Sequence, residues 1–277
     1  MSDYKELTVE EVDIIALEYY LQRSAKTTVQ DKPIAVFVAA QPGAGKSAAA
    51  RLAKNELLLC GGYIHVDADV MRDLIPLNGT KPSSDITQKD AGLLANTVRA
   101  LAVNAKRNFV EEGTFRKPEA LQARINQLQA LGYRIELLAV ATSREESQLG
   151  VFQRYEKECN DLKVINPRFV GSEFQDMAMQ GFDESIQKCE LTFDRARVIT
   201  RSGQILFDSN SKENAQNSVY AALIAGREMS AEKIVAISEA WKSVKAQAVS
   251  RNAPKDYLDE IDRHAKTDHL QTTSSIK

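Results

Sequence analysis

From Ala40 to Ser47 the chain reads A-Q-P-G-A-G-K-S. Two glycines followed by a lysine and a hydroxyl are the parts of a phosphate-binding loop, whose general pattern is G-x-x-x-x-G-K-[ST]. Gly43 and Gly45 let the backbone turn its N–H groups inward, toward β-phosphate oxygens. Gln41, Pro42, Gly43, Ala44, Gly45, Lys46 and Ser47 are therefore the candidate nucleotide-binding residues. Lys46 would offset β- and γ-phosphate charge, and the Ser47 hydroxyl would ligate Mg2+. A helix starting here turns the positive end of its dipole to the same anion. Ala40 stands where the pattern has its first glycine. One added methyl is tolerated unless that position needs a positive φ.

A phosphate donor implies an acceptor, and three further stretches hold residues suited to one. In H-V-D-A-D-V-M-R, Asp67 and Asp69 fall at the end of a short apolar run. A carboxylate there can take the proton of an acceptor hydroxyl, or hold Mg2+ through water. Asp69 reads as the N-cap of a following helix, and Asp67 as the chemical group. In E-E-G-T-F-R, Glu112, Thr114 and Arg116 alternate, so an extended backbone points an acid, a hydroxyl and a guanidinium the same way. Such a set suits a polar, hydroxyl-bearing substrate. Arg154 in Q-R-Y-E and Arg168 in N-P-R-F offer planar forks that can hold phosphoryl oxygens bidentately, as the arginines of a lid do.

These groups need a scaffold. I-A-V-F-V-A-A, from Ile34, is apolar at every position, which predicts a strand buried on both faces of a parallel sheet. Ser47 to about Leu59 reads as a helix, and Y-I-H-V-D as a second strand. Asp85–Lys106 reads as a helix, Arg107–Glu112 as a strand, Pro118–Leu131 as a helix, and Y-R-I-E-L-L-A-V-A as a strand. Glu145–Glu158 and Ser172–Lys188 read as helices, and R-A-R-V-I-T and Q-I-L-F-D-S as paired strands about a turn at Arg201-Ser202-Gly203. Leu77–Ser84 and Asn166–Val170 read as loops. Alternation of strand and helix predicts a doubly wound α/β domain with a mostly parallel sheet, a P-loop fold, over residues 30–210. A capping box at Thr8–Glu11 opens an N-terminal helix within residues 1–29. Residues 211–277 carry no strand signal, and Ile234, Ile237, Trp241 and Val244 form one helical stripe, so a helical extension is expected there.

The 277 residues are 43% hydrophobic with a net charge of −2, and the pI is near 6.0. That balance argues against recruitment of nucleic acid or an anionic membrane surface. No apolar run approaches a membrane span. The polar, acidic start carries no secretory signal, and Cys60, Cys159 and Cys189 lack metal-ligand spacing, so a cytoplasmic protein with reduced thiols is expected. The three histidines suggest no metal cluster.

A-Q-P-G-A-G-K-S, V-D-A-D, E-G-T-F-R, Q-R-Y-E and the later Arg168 stand together in one order. In this the sequence resembles the zeta-toxin family of P-loop kinases, the toxic halves of epsilon/zeta-type toxin–antitoxin systems. The resemblance implies transfer of the γ-phosphate of ATP or GTP to the sugar 3′-hydroxyl of UDP-N-acetylglucosamine, which starves cell-wall synthesis. It implies that Lys46 and Ser47 serve nucleotide and Mg2+, that Asp67 is the base, and that Glu112, Thr114 and Arg116 orient the substrate. Arg154 and Arg168 then clamp the phosphates. The family has a further acid on the helix before E-G-T, and the nearest match by spacing is Asn96, an uncharged amide. Inhibition is expected from a small antitoxin protein or, in cis, from one of the terminal helical segments. A kinase of another small hydroxyl substrate is the alternative enzyme. A nucleotide-dependent switch that has lost transfer is the alternative from another class, and it predicts a missing base or lid arginine.

Overall fold

The uninterrupted apolar run becomes β1 (Ile34–Ala39), the centre of a six-stranded sheet of order β2-β3-β1-β4-β5-β6. Its neighbours are β3 (Phe109–Gly113) and β4 (Arg134–Ala141). Beyond them lie β2 (Ile64–Asp67) on one side, and β5 (Arg195–Thr200) and β6 (Ile205–Asp208) on the other. Every pairing is parallel except that of β5 with β6, the hairpin expected about Arg201–Gly203. This computed structural model describes residues 4–76, 86–161, 164, 167–214 and 217–274, with side chains as far as 266. The loop expected at Leu77–Ser84 lies outside the described residues, as do Asp85 and Asn166.

Side chains of β1 alternate between two cores. Val36 and Val38 face α2 (Ser47–Leu58), packing with Ala49, Ala50, Ala53 and Leu57. Ala35, Phe37 and Ala39 face the opposite core, which α1 (Val9–Ser24), α4 (Gln88–Asn104), α5 (Pro118–Ala130) and α7 (Ser172–Cys189) help to build. The Thr8–Glu11 capping box is present: Glu11 N donates to Thr8 Oγ1 (3.2 Å) and Thr8 N to Glu11 Oε2 (2.7 Å). A short α3 (Ala68–Arg72) follows β2 directly, and α6 (Arg144–Cys159) follows β4.

No strand follows Asp208 among the described residues. Helix α8 (Val219–Ala225) gives Val219 and Leu223 to the larger sheet core. Helices α9 (Ala231–Ser250) and α10 (Lys255–Ser274) form a hairpin with its own core, in which Ile237, Trp241 and Val244 pack against Leu149 and Phe152 of α6. These three members of the stripe on α9 are thus packing, while Ile234 is half-buried outside that core. No described helix is long and apolar enough to cross a membrane.

Phe37 is fully buried, with its ring 6.5 Å from that of Phe109 and 5.2 Å from that of Phe115. Phe37→Ala is expected to cost about 3–5 kcal/mol of stability, the range for removing a buried phenylalanine. Urea unfolding measures this, and a loss below about 1 kcal/mol would contradict the packing described.

Candidate active site

β1 ends at the phosphate-binding loop, and backbone dihedrals show how the loop closes. Positive φ falls at Gly43 (78°) and Gly45 (83°), not at Ala40, so the alanine in the first glycine's place imposes no strain. Its methyl is fully buried. The loop is tethered to the end of β4 from both sides: Gln41 Nε2 donates to Thr142 O (2.8 Å), and Thr142 Oγ1 donates to Ala44 O (2.9 Å). Its outer surface beds on α6. A Cβ on Gly43 would stand 2.0 Å from Ser147 O, and one on Gly150 would stand 2.2 Å from Gly43 O. Arg201, in the β5–β6 turn, donates from Nη1 to Gly43 O (2.8 Å) and Glu146 O (3.1 Å), joining loop to helix.

Lys46 immediately precedes α2 and folds back, donating from Nζ to Ala40 O (3.2 Å) and Gln41 O (3.4 Å). Burial pushes its ammonium below the usual lysine range, though Glu112, Asp69 and Asp67 pull the other way. Ser47, the first residue of α2, is exposed. It borders a cleft of about 430 Å3 lined also by Lys54, Tyr63, Asp67 and Glu112.

β2 and β3 bring the acids of that cleft together. Asp67 and Glu112 are register partners, so their side chains leave the sheet on the same face. Glu112 Oε1 lies 2.7 Å from His65 Nε2 and 3.0 Å from Lys54 Nζ. Burial alone would raise the Glu112 carboxyl, but the bond to His65 and the charge of Lys54 outweigh it and hold it low. Asp67 is pushed up, first by burial and then by the charge of Glu112. One acid is thus kept as a fixed anion while the other gains basicity, the separation that acid–base chemistry requires.

The expected helix cap moves by two residues. Asp67, not Asp69, caps α3, its Oδ1 accepting from Asp69 N (2.9 Å). Asp69 is instead an ion-pair partner of Arg72 and of Arg168, whose Nη1 stands 3.3 Å away. Burial would raise Asp69, but the Arg168 charge and the bond from Arg72 prevail and hold it low.

Arg154 and Arg168, the arginines expected to form a lid, meet at a residue that the motifs did not mark. Glu158 accepts from Arg168 N (2.6 Å), and its Oε1 lies 3.6 Å from Arg168 Nη2 and 3.9 Å from Arg154 Nε. It stands one helical turn after Arg154, a spacing visible in the sequence. Burial lowers the Arg154 guanidinium, and Glu158 opposes that shift.

Elsewhere the sequence-based expectation fails. β3 ends at Gly113, and Phe115 adopts φ = 46°, so the alternation of Glu112, Thr114 and Arg116 does not persist. A left-handed phenylalanine is uncommon, and the contact with Phe37 holds it there. Thr114 is half-buried. Arg116 turns to α7, its guanidinium 4.7 Å from the Phe174 ring and 3.4 Å from Met177 Sδ. Asn96 is exposed on α4 and accepts from Arg99 Nη2 (2.9 Å). Arg99 pairs with Glu111, on the face of β3 opposite to Glu112. The histidines, expected to form no metal cluster, give one member to such a set: ligand atoms of His65, Asp67 and Glu112 lie within 4.8 Å of one another. They come from two adjacent strands, which spacing along the chain does not reveal. Cys60, Cys159 and Cys189 are free thiols.

Because Gly150 receives the carbonyl of Gly43, Gly150→Ala tests the bed of the loop. Overpacking of about 1–3 kcal/mol predicts Mg2+-ATP affinity weakened by about fivefold or more in a fluorescent-nucleotide titration. An unchanged Kd would show that the loop does not depend on α6.

The zeta toxin family model matches residues 18–212. Toxin PezT of Streptococcus pneumoniae serotype 4 (strain ATCC BAA-334 / TIGR4) is 27% identical over 224 residues, which cover 77% of this chain and 85% of that toxin. A solved structure of the PezAT chromosomal toxin–antitoxin system of the same pathogen superposes with a TM-score of 0.71 at 21% identity, over 87% of this chain and 99% of that one. The AvrRxo1-ORF1:ORF2 complex solved with ATP gives 0.57 at 15% identity, over 92% and 87%. The fold agrees with that of these solved structures, and the chain belongs to the zeta-toxin family.

Proposed function

We propose that this protein is the toxin of a toxin–antitoxin system, a kinase that moves the γ-phosphate of ATP or GTP to the sugar 3′-hydroxyl of UDP-N-acetylglucosamine. The observation that carries the reading is the register pair Asp67–Glu112, set in a cleft that also reaches Ser47 of the phosphate-binding loop. Donor and acceptor groups border one space. Its volume, about 430 Å3, is within the range of small-molecule sites.

In this reading the loop backbone of residues 41–47 and Lys46 hold the β- and γ-phosphates. Lys46 Nζ exchanges the carbonyls of Ala40 and Gln41 for phosphate oxygens. The Ser47 hydroxyl at the edge of the cleft is an oxygen donor of the kind Mg2+ takes. Ser47 would hold the ion, which supplies neutralisation of phosphate charge when bound. Asp67 takes the proton from the acceptor hydroxyl as its oxygen attacks the γ-phosphorus, and the nucleoside diphosphate departs. Arg154 and Arg168 offset the charge on the transferred group. Glu112, held by His65 and Lys54, accepts from a sugar hydroxyl, whereas Arg116, turned to α7, and Asn96, beside Arg99, stand away from that cleft. Asn96 brings no charge and sits with Arg99, which favours one second reading: a kinase of another small hydroxyl-bearing molecule. Kinship with the pneumococcal PezAT pair supports a small antitoxin protein as partner.

The full chain incubated with Mg2+-ATP and a panel of UDP-sugars is expected to add one phosphoryl group to UDP-N-acetylglucosamine, seen by mass spectrometry. Transfer to none of the panel would overturn the reading. Asp67→Asn is expected to lower kcat by about 10²–10⁴-fold, the usual worth of a general base, with nucleotide binding retained. Asp67 must be ionised to act. Transfer is therefore expected to rise with pH through a midpoint above the ordinary aspartate value of about 3.9. Equal loss of binding and transfer in Asp67→Asn would make the residue structural.

A further inference from the structure

Glu156 is a carboxylate with no solvent exposure on the helix that carries Arg154. Residues two apart on a helix face away from each other, so Glu156 points away from the side where Arg154 and Glu158 meet Arg168. Its partner comes from the C-terminal hairpin. Arg251, at the end of α9, donates from Nε (2.9 Å) and Nη2 (2.8 Å) to the two oxygens of Glu156. The same guanidinium lies 5.4 Å from the ring of Tyr155 and 5.3 Å from that of Tyr257. A bidentate fork fixes orientation as well as distance, and removing one partner leaves a buried charge alone.

Beside this pair, Phe152 of α6 is the hub of an aromatic cluster. Its ring lies 5.0 Å from Phe169, 5.1 Å from Trp241, and 5.4 Å from both Tyr257 and His264. Phe169 follows Arg168 directly, and Phe152 and Glu156 flank Arg154. Each lid arginine is thus anchored through a close sequence neighbour to α9 or α10. None of the hairpin's described side chains lines the cleft that holds Asp67 and Glu112.

We propose that Arg251, acting through Glu156, is a positioning residue for Arg154: this contact of the α9–α10 hairpin holds the Arg154 guanidinium in place for phosphoryl transfer. Its release then switches transfer off, the opposite of inhibition in cis by the C-terminal segment. The residues of this brace on α9 and α10 lie beyond 212, where the family match ends. The proposal rests on the kinase reading, and its test separates the two.

The test uses full-length Arg251→Ala, Arg251→Lys, Arg154→Ala and the Arg154→Ala/Arg251→Ala pair. Arg251→Ala is expected to lower kcat about tenfold with the nucleotide KM little changed, and Arg251→Lys to fall between it and the unaltered protein. In the Arg154→Ala background, Arg251→Ala is expected to add less than about a twofold loss, because the side chain it positions is already gone. Unchanged or raised kcat in Arg251→Ala would overturn the proposal, as would a full tenfold loss in the Arg154→Ala background. If the alanine variant does not fold, Arg251→Lys carries the same comparison. If the unaltered chain phosphorylates no acceptor, the kinase reading fails, and hydrogen exchange judges the brace without catalysis. Faster exchange over residues 150–158 and 167–170 in the Arg251 variant then upholds it, and unchanged exchange overturns it. Emission of the single tryptophan, Trp241, reports directly whether the hairpin has left its seat.

Discussion

Asp67 and Glu112 leave adjacent parallel strands side by side into a half-buried cleft. Two carboxylates in that position cannot both ionise without cost, and the rest of the site follows from how the cost is divided. His65 and Lys54 both turn to Glu112, so the charge is fixed there and Asp67 is left as the carboxyl with raised proton affinity. His65 sits two residues before Asp67 on the same strand, and the Tyr19 hydroxyl of α1 donates to its carbonyl (3.0 Å). The N-terminal helix therefore buttresses the strand that sets the acid pair.

The sheet places the remaining parts around that pair. β1 delivers the phosphate-binding loop between β3, which carries Glu112, and β4, whose end ties down Gln41 and Ala44. Helix α6 has two duties on two faces. One face beds the loop at Ser147 and Gly150 and carries Arg154, and the other takes the α9–α10 hairpin at Phe152 and Glu156. The loop, Arg154 and the hairpin thus share one helix. Arg201 joins α6 to the loop, and Glu158 joins Arg154 to Arg168.

Much of this was legible before any coordinates. The apolar run of β1, the Gly-Lys-Ser turn and the alternation of strands with helices mark the donor half, because burial pattern and backbone freedom are local properties of sequence. The place of Asp67 at a strand end was legible for the same reason, and ligands bind at such ends in sheets of this kind. What stayed hidden depends on pairings across the chain. Register joins Glu112 to Asp67, a side-chain hydrogen bond joins it to His65, and a salt bridge joins Asp69 to Arg168, 99 positions apart in number. The left-handed turn at Phe115 also escaped notice, because a core contact with Phe37, rather than the type of residue 115, holds it. Without that turn an extended strand would have kept Arg116 on the face of Glu112. With it, Arg116 stacks on α7.

The central claim is that the shared cleft drives these two carboxyls apart in proton affinity. Carbon-13 NMR of the full chain, labelled at aspartate and glutamate side-chain carboxyls, follows both through a pH titration. The account predicts two steps: Glu112 deprotonates first, below its ordinary value of about 4.3, and Asp67 last, above its ordinary value of about 3.9. Midpoints in the reverse order, or both at their ordinary values, would contradict it.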